Sequence, residues 1–249
     1  MSVSIIIPAY NEELRLPATL SATAEYFAKR GESFEILVVD DGSTDGTAKV
    51  TKAFASKHPR YGVQYLSYGG NRGKGYAVRF GMQRAKGDMR LFCDADLATP
   101  VEEYDAVLSM MKSSGAQVGI GSRPLKESTL VVHQKWYREM LGRGFNRAVQ
   151  ILAVGGIHDT QCGFKIFTAG AAKDIFKRAK IDAFAFDCEA LLLAKRLGYR
   201  IVEVPIRWSH KDGSKVSLAK DGMKMLRDLL VARWLHRGLV QLPEKPAHS

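Results

Sequence analysis

The sequence predicts an α/β fold in which a mostly parallel sheet is flanked by helices and closed by a C-terminal amphipathic helix. Short apolar runs alternate with longer stretches of helical periodicity. Runs such as Ile5-Ile6-Ile7 and Ile36-Leu37-Val38-Val39 are continuous, and polar clusters follow them. Strands alternating with helices build βαβ units. Continuous apolar strands belong to a sheet covered on both faces.

The elements follow in order. Val3–Ile7, Glu35–Val39, Val63–Leu66, Met89–Cys93 and Val118–Ile120 are compact apolar runs of strand length. Between them Leu14–Lys29, Thr44–Lys57, Gly75–Ala85 and Val101–Lys112 carry apolar residues at helical spacing. After Ser122 a basic loop leads to a long helical stretch, Gln134–Val154, and Gln161–Phe167 reads as a returning strand. Helices are expected near Ala169–Lys177 and Cys188–Leu197, and Tyr199–Trp208 is β-like, with Pro205 at an edge or end. Ser217–Arg237 is the closing helix. The expectation is one domain over residues 1–238 with a loose tail, 239–249.

Composition narrows the function classes. The 249 residues are 46% hydrophobic and 25% charged, as in ordinary globular proteins. Lys+Arg number 37 against 26 Asp+Glu, a formal net charge of +11. A surface that basic attracts phosphates of nucleotides, nucleic acid or lipid head groups. Cys93, Cys162 and Cys188 show no CxxC spacing, so a zinc cage or a disulfide framework is not expected. Reduced thiols of a cytoplasmic protein are expected instead. No apolar run approaches the roughly 18 residues of a spanning helix. Ser2–Ile7 lacks the basic flank and cleavage site of a signal peptide. Peripheral membrane association stays open.

The chemistry collects where strands end, as ligand sites of open parallel sheets do. The first strand runs into Pro8-Ala9-Tyr10-Asn11-Glu12, the second into Asp40-Asp41-Gly42-Ser43-Thr44-Asp45, and the fourth into Asp94-Ala95-Asp96. Asn71-Arg72-Gly73-Lys74-Gly75 follows the third. Asp94 and Asp96 have two readings. They can hold a hard divalent cation that keeps coordination positions for phosphates, or they can cap a helix opening near Thr99-Pro100. In the Asp40–Asp45 run, Ser43 or Thr44 is the expected cap and Asp40 or Asp41 the expected nucleotide ligand. The Asn71–Gly75 loop lacks the Ser or Thr of a Walker motif and the third Gly of a dinucleotide fingerprint. It reads as a flexible basic loop suited to a diphosphate at a helix N-terminus, or as a solvated turn. Arg123 follows Ile120-Gly121-Ser122 and suits a phosphate. The histidines lack metal-ligand spacing, and no GxSxG is present.

Taken in order, these motifs resemble family-2 glycosyltransferases of the GT-A fold, whose sheet is Rossmann-like and whose donors are nucleotide-sugars. A second set narrows the resemblance: Gly121-Ser122-Arg123, Asp159-Thr160-Gln161-Cys162-Gly163-Phe164-Lys165, Phe186-Asp187-Cys188-Glu189 and Gly213-Ser214-Lys215-Val216. These are similar to polyprenyl-phosphate hexosyltransferases, and within them to dolichyl-phosphate β-glucosyltransferases, over roughly residues 3 to 230.

The resemblance implies an inverting, metal-dependent transfer of a hexose, glucose by subfamily, from UDP-glucose to a polyprenyl or dolichyl-like phosphate. Pro8, Tyr10, Glu12, Asp40 and Asp41 would line the uridine pocket, with Lys74 near the donor. Asp94 would lie by ribose and metal, with Ala95 in the same donor-binding turn. Asp96 would bind Mg²⁺ or Mn²⁺, and Gln161 would complete the metal site. Arg123 and Lys215 would hold the acceptor's phosphate. That oxygen is already anionic near pH 7, so the base role stays empty. The alternative is a UDP-sugar-dependent transferase with a soluble or glycan hydroxyl acceptor, for which Asp187 would be the first candidate base.

The closing helix has two readings as well. Leu218, Met225, Leu226, Leu229, Leu230 and Trp234 fall on one arc, while Lys220, Lys224, Arg227 and Asp228 face away. It is an interfacial helix with snorkelling Arg233 and Arg237, or it packs on the core or in a homodimer. The expected place of work is the cytoplasm, peripherally at the membrane. Nucleic acid is not an expected partner: zinc-finger and RNP motifs are missing, and the basic residues are spread along the chain.

Overall fold

The computed structural model describes residues 1–125, 128–132, 155–209, 218–239 and 242–243. In chain order these form β1 (Ser2–Ala9), α1 (Leu16–Arg30), β2 (Ser33–Asp40), α2 (Thr47–Lys57), β3 (Val63–Ser67), α3 (Lys74–Arg84), β4 (Met89–Cys93), α4 (Glu103–Ser114) and β5 (Val118–Ser122). There follow β6 (Thr129–Val132), β7 (Phe164–Thr168), α5 (Ala169–Arg178), α6 (Phe186–Arg196), β8 (Ile201–Pro205), β9 (Arg207–Ser209) and α7 (Leu218–Leu235). The expected helix Gln134–Val154, the segment Gly213–Val216 with Lys215, and most of the tail 239–249 lie outside the described residues.

Seven strands form one sheet in the order β3-β2-β1-β4-β7-β5-β8, and β6 pairs with β9 in a small second sheet. In the large sheet only β7 is reversed, antiparallel to both β4 and β5. The five apolar runs of the first half are strands whose ends fall within two residues of expectation. Alternation of side chains across β1 explains the continuous run. Ile5 and Ile7 enter a core with Leu16, Leu20 and Phe27 of α1 and Tyr104 and Val107 of α4. Ile6 enters a separate core with Ala77, Val78 and Met82 of α3 and Ile175 of α5. These isoleucines are fully buried, and each such side chain contributes about 1.5–3 kcal/mol. Pro8, which has no N–H to donate, sits beyond Ile6, the last β1 residue that pairs with β4. Pro205 ends β8, one of the two edge strands of the sheet.

Two expectations are corrected. Helix α2 begins at Thr47, not Thr44, and neither Ser43 nor Thr44 caps it. Ser43 Oγ accepts from Asn11 N at 2.9 Å, Thr44 N donates to Asn11 Oδ1 at 2.8 Å, and Asp45 Oδ2 accepts from Glu13 N at 3.1 Å. These residues are committed to the turn after β1, so the helix starts later.

The closing helix is also rotated from expectation. It packs through Met225 and Ala232 against Ile181, Phe184 and Ala185, with Leu229 buried on the same stripe. Asp228, expected outward, is buried. Leu230 and Trp234, expected to share the face of Met225, are 51% and 61% exposed. The helix therefore has two apolar stripes, and only one rests on the protein. A polar latch fixes it: His236 Nε2 lies 2.7 Å from Glu189 Oε1. The Glu189 carboxylate is fully buried and also accepts the N–H groups of Lys180 at 2.9 Å and Ile181 at 2.8 Å.

Replacing Glu189 by Ala strands those two N–H groups away from water. The expected loss is about 2–3 kcal/mol, read as a lower urea midpoint with an unchanged slope. His236→Ala is expected to cost less, because Glu189 keeps both backbone donors. Equal losses in the two variants would contradict this division.

Candidate functional site

All polar clusters reach one rim of the sheet. The parallel strands β1 to β5 deliver their C-terminal ends there, and the reversed β7 delivers its start instead. The turns after β1, β2, β3, β4 and β5 therefore meet the Asp159–Gly163 segment that precedes β7.

The β2 carboxylates are internal braces. Asp40 accepts from Ser43 N at 2.8 Å and from the Tyr65 hydroxyl at 2.6 Å. Asp41 accepts from the Tyr68 hydroxyl at 2.7 Å, Arg72 N at 2.7 Å and Gly73 N at 2.9 Å. Gly42, at φ 77°, lies so near the loop after β3 that a Cβ would come within 2.5 Å of Gly70 C. The Asn71–Gly75 loop is thus braced rather than flexible. Its N–H groups at 72 and 73 serve Asp41, and Tyr76 N donates to Asp182 O at 3.2 Å. What the loop offers the rim is the side chain of Lys74. Among the other expected nucleotide residues, Pro8 is buried in β1 and Tyr10 is 38% exposed. Glu12 is paired with Arg15 at 2.7 Å.

At the rim, Lys74 Nζ stands 2.6 Å from Asp94 Oδ1. That oxygen is buried and has no other donor among the described residues. Burial alone would lower the Lys74 ammonium, but Asp94, Asp187 and Asp96 outweigh it and hold the group above its ordinary range. Asp96 accepts from Ala98 N at 3.0 Å. Burial, then the charge of Asp94, pushes the Asp96 carboxyl up, against Lys74 and Arg15. Neither aspartate caps α4, whose N-cap residue is Glu102. Ala95 is buried, and its carbonyl accepts from Thr19 Oγ1 of α1 at 2.6 Å. Asp94 N donates to Gly163 O at 3.2 Å. A Cβ on Gly163 would run into Asp94 Oδ2, so the missing side chain is what seats the carboxylate.

Beneath the rim lies a buried pair that sequence reasoning missed. Lys165, 1% exposed, donates to Asp187 Oδ1 at 2.5 Å and to Cys162 O at 2.6 Å. Burial raises the Asp187 carboxyl, opposed by Lys165 and Lys74. A lysine at the centre of the apolar run Phe164–Phe167 was the available signal. Burial also pushes the Cys162 and Cys188 thiols up to about 12, so both are packing residues.

Arg123 is on the rim, but its guanidinium is already engaged. Nε and Nη2 donate to Asp159 at 2.6 and 2.8 Å, and its backbone N donates to Asp159 Oδ2 at 3.1 Å. Burial would raise Asp159; Arg123 outweighs it and holds the carboxyl below its usual range. Glu203 of β8 supports the pair by accepting from Ser122 Oγ and Asp159 N, each at 2.9 Å. The carboxamide of Gln161 is turned to Met225 Sδ of α7, at 3.7 Å. Among the described residues, three or more His, Cys, Asp or Glu side chains nowhere converge as a metal cage. The donor set that fits a hard cation is the two-carboxylate turn of Asp94 and Asp96. Such ions are commonly held by one or two carboxylates with phosphates completing the shell, and the Asp94 and Asp96 carboxylates, one residue apart at the rim, fit that role.

Comparison with known proteins agrees with this geometry. The family model described as Glycosyl transferase family 2 matches residues 4–176. Dolichyl-phosphate beta-glucosyltransferase of Dictyostelium discoideum is 39% identical over 241 residues, covering 93% of this chain and 74% of that protein. The enzyme of that name from Homo sapiens is 36% identical over 241 residues, with the same two coverages, 93% and 74%. Among solved structures, glucosyl-3-phosphoglycerate synthase from Mycobacterium tuberculosis, in complex with Mn²⁺, UDP and glucosyl-3-phosphoglycerate, superposes with a TM-score of 0.65. Its identity is 18%, and the match covers 97% of this chain and 81% of that one. That likeness is one of fold, the GT-A architecture.

Gly163→Ala is expected to displace the Asp94 carboxylate and lower turnover by about tenfold or more, with the fold retained by circular dichroism. Gly170→Ala is the control. It lies in helix α5 with open space where a Cβ would go, and it is expected to leave turnover unchanged while gaining up to about 1 kcal/mol of stability. Wild-type turnover in the Gly163 variant would contradict the seating of Asp94.

Proposed function

This chain belongs to glycosyl transferase family 2, and we propose that it moves glucose from UDP-glucose to a polyprenyl, dolichyl-type phosphate with inversion. The enzyme class follows from the family; the donor, acceptor and metal are the reading offered here. The observation that carries it is the rim of Asp94, Asp96 and Lys74. The names of the dolichyl-phosphate glucosyltransferase relatives support the acceptor. The Mn²⁺–UDP complex of a fold neighbour supports the donor and the metal.

In this reaction an oxygen of the polyprenyl phosphate attacks the anomeric carbon as the bond from that carbon to the UDP oxygen breaks. Mg²⁺ or Mn²⁺ held by Asp94 and Asp96, with Gln161 as the proposed further ligand, would neutralise the departing diphosphate. The chain's own residues supply position and charge. Lys74 stays protonated beside Asp94, a cation placed for the donor's phosphates. The donor's uridine is assigned to the turns after β1 and β2, with Tyr10 exposed there and Asp40 and Asp41 setting their shape. Arg123, fixed by Asp159, keeps a partly exposed guanidinium for the acceptor's phosphate. Lys215 shares that role in the proposal and lies outside the described residues. The attacking oxygen is already ionised, so no base is required. Asp187, the candidate base for a hydroxyl acceptor, is buried and bound to Lys165, which favours the phosphate acceptor. The reaction is assigned to the cytoplasmic face of a membrane, with the chain bound peripherally. Among the described residues no helix is long and apolar enough to cross one.

Labelled UDP-glucose is expected to give lipid-linked glucose only when short-chain polyprenyl phosphate and Mg²⁺ or Mn²⁺ are present. Chelation, or Asp96→Ala with its fold intact, is expected to lower the rate by about a hundredfold or more. Transfer to a sugar or simple alcohol without lipid product would reject the acceptor. Full turnover in chelator would reject the metal.

A further inference from the structure

Two surface features at the end of α7 are used by nothing in the site. The first is the helix's second apolar stripe. Met223, Leu230, Val231, Trp234 and Leu235 are 74%, 51%, 40%, 61% and 43% exposed. Met223, Leu230 and Trp234 recur at helical spacing, opposite the stripe of Met225, Leu229 and Ala232 that packs. Arg227, Arg233 and Arg237 are exposed around them, with the Arg237 guanidinium 4.5 Å from the Trp234 ring centre. A contiguous apolar surface rimmed by cations marks an interaction site.

The second feature adjoins the first through Leu235. That side chain walls an open recess of about 460 Å³ together with Lys177, Arg178, Lys180, His236 and Leu239. Arg178 is turned to Asp174, whose carboxylate lies 3.6 Å away. Among the described residues neither Lys177 nor Lys180 has a carboxylate partner, and both are exposed. Two uncompensated ammonium groups thus stand beside an apolar edge.

We propose that this end of α7 docks on a bilayer surface containing anionic phospholipid. Trp234, Leu230 and Val231 enter the boundary between head groups and acyl chains, where a helix with a charged and an apolar face lies flat. The Lys177–Lys180 recess takes the phosphate of a head group. Charge complementarity selects this occupant: the chain carries +11, and each cation near an anionic leaflet adds to the attraction. The proposal rests on the lipid-phosphate reading only for its purpose. The inner stripe of the same helix meets the site where Met225 touches Gln161. From Met225 to Leu235 the helix rises about 15 Å, so docking by its end would hold the rim close to the leaflet that carries the acceptor.

The test uses the full chain and two kinds of vesicle, phosphatidylcholine alone and phosphatidylcholine mixed with phosphatidylglycerol. Cosedimentation is expected to be at least about tenfold stronger with the anionic vesicles and to weaken with salt. Trp234→Ser and the double variant Lys177→Glu/Lys180→Glu are each expected to weaken it about tenfold or more. Both should keep wild-type turnover on a water-soluble, short-chain polyprenyl phosphate, which also shows that they fold. Equal binding to the two vesicle types overturns the proposal, as does wild-type binding by both variants. A concentration-dependent dimer that Trp234→Ser dissolves also overturns it, in favour of a second copy as occupant. If the wild-type chain fails to glucosylate the soluble acceptor, the proposed reaction is at fault, and the vesicle result still decides the docking surface.

Discussion

The contact between the Lys74 ammonium and the Asp94 carboxylate, 2.6 Å apart at the rim of the sheet, sets the terms for what surrounds it. Burial here opposes the Lys74 ammonium, and the carboxylates of Asp94, Asp187 and Asp96 outweigh it. The ammonium is thereby kept as a cation for an anionic ligand. Keeping them together takes support from distant parts of the chain. Asp41 grips the loop that delivers Lys74, Thr19 holds the carbonyl of Ala95, and Gly163 leaves the space that Asp94 fills. Below them Lys165 and Asp187 form a buried pair. Removing one member of such a pair costs about 3–5 kcal/mol.

Anions are what this electrostatic design can handle. A phosphate nucleophile and a diphosphate leaving group repel each other, and catalysis between them consists largely of positioning and of supplying positive charge. Lys74 is braced from behind. Arg123 is held in a fork by Asp159, which is itself held by Glu203. The side chain best suited to be a base, Asp187, is tied to Lys165. Burial, pairing and chemistry therefore all favour the proposed phosphate nucleophile, which arrives already ionised.

Much of the fold could be read from the sequence because its strands are continuous apolar runs ended by polar clusters. The Asp94-Ala95-Asp96 turn was legible for the same reason, since it follows Leu91-Phe92-Cys93. Interactions between distant residues were not. The Arg123–Asp159 fork spans 36 residues and the Thr19–Ala95 bond 76. The bracing of the Asn71–Gly75 loop was hidden because the sequence does not show that Asp41 takes the N–H groups of Arg72 and Gly73. The closing helix was misread because it carries two apolar stripes, and periodicity alone does not say which one meets the protein. Lys165 was visible as a charge inside an apolar strand, but its partner, Asp187, is known only from the fold.

Anomalous scattering from crystals grown with Mn²⁺ and UDP tests the central claim most directly. A manganese peak between the carboxylates of Asp94 and Asp96, in contact with the diphosphate and beside Lys74, is the predicted result. Nucleotide bound with the metal away from that turn, or with no metal there, would contradict the account.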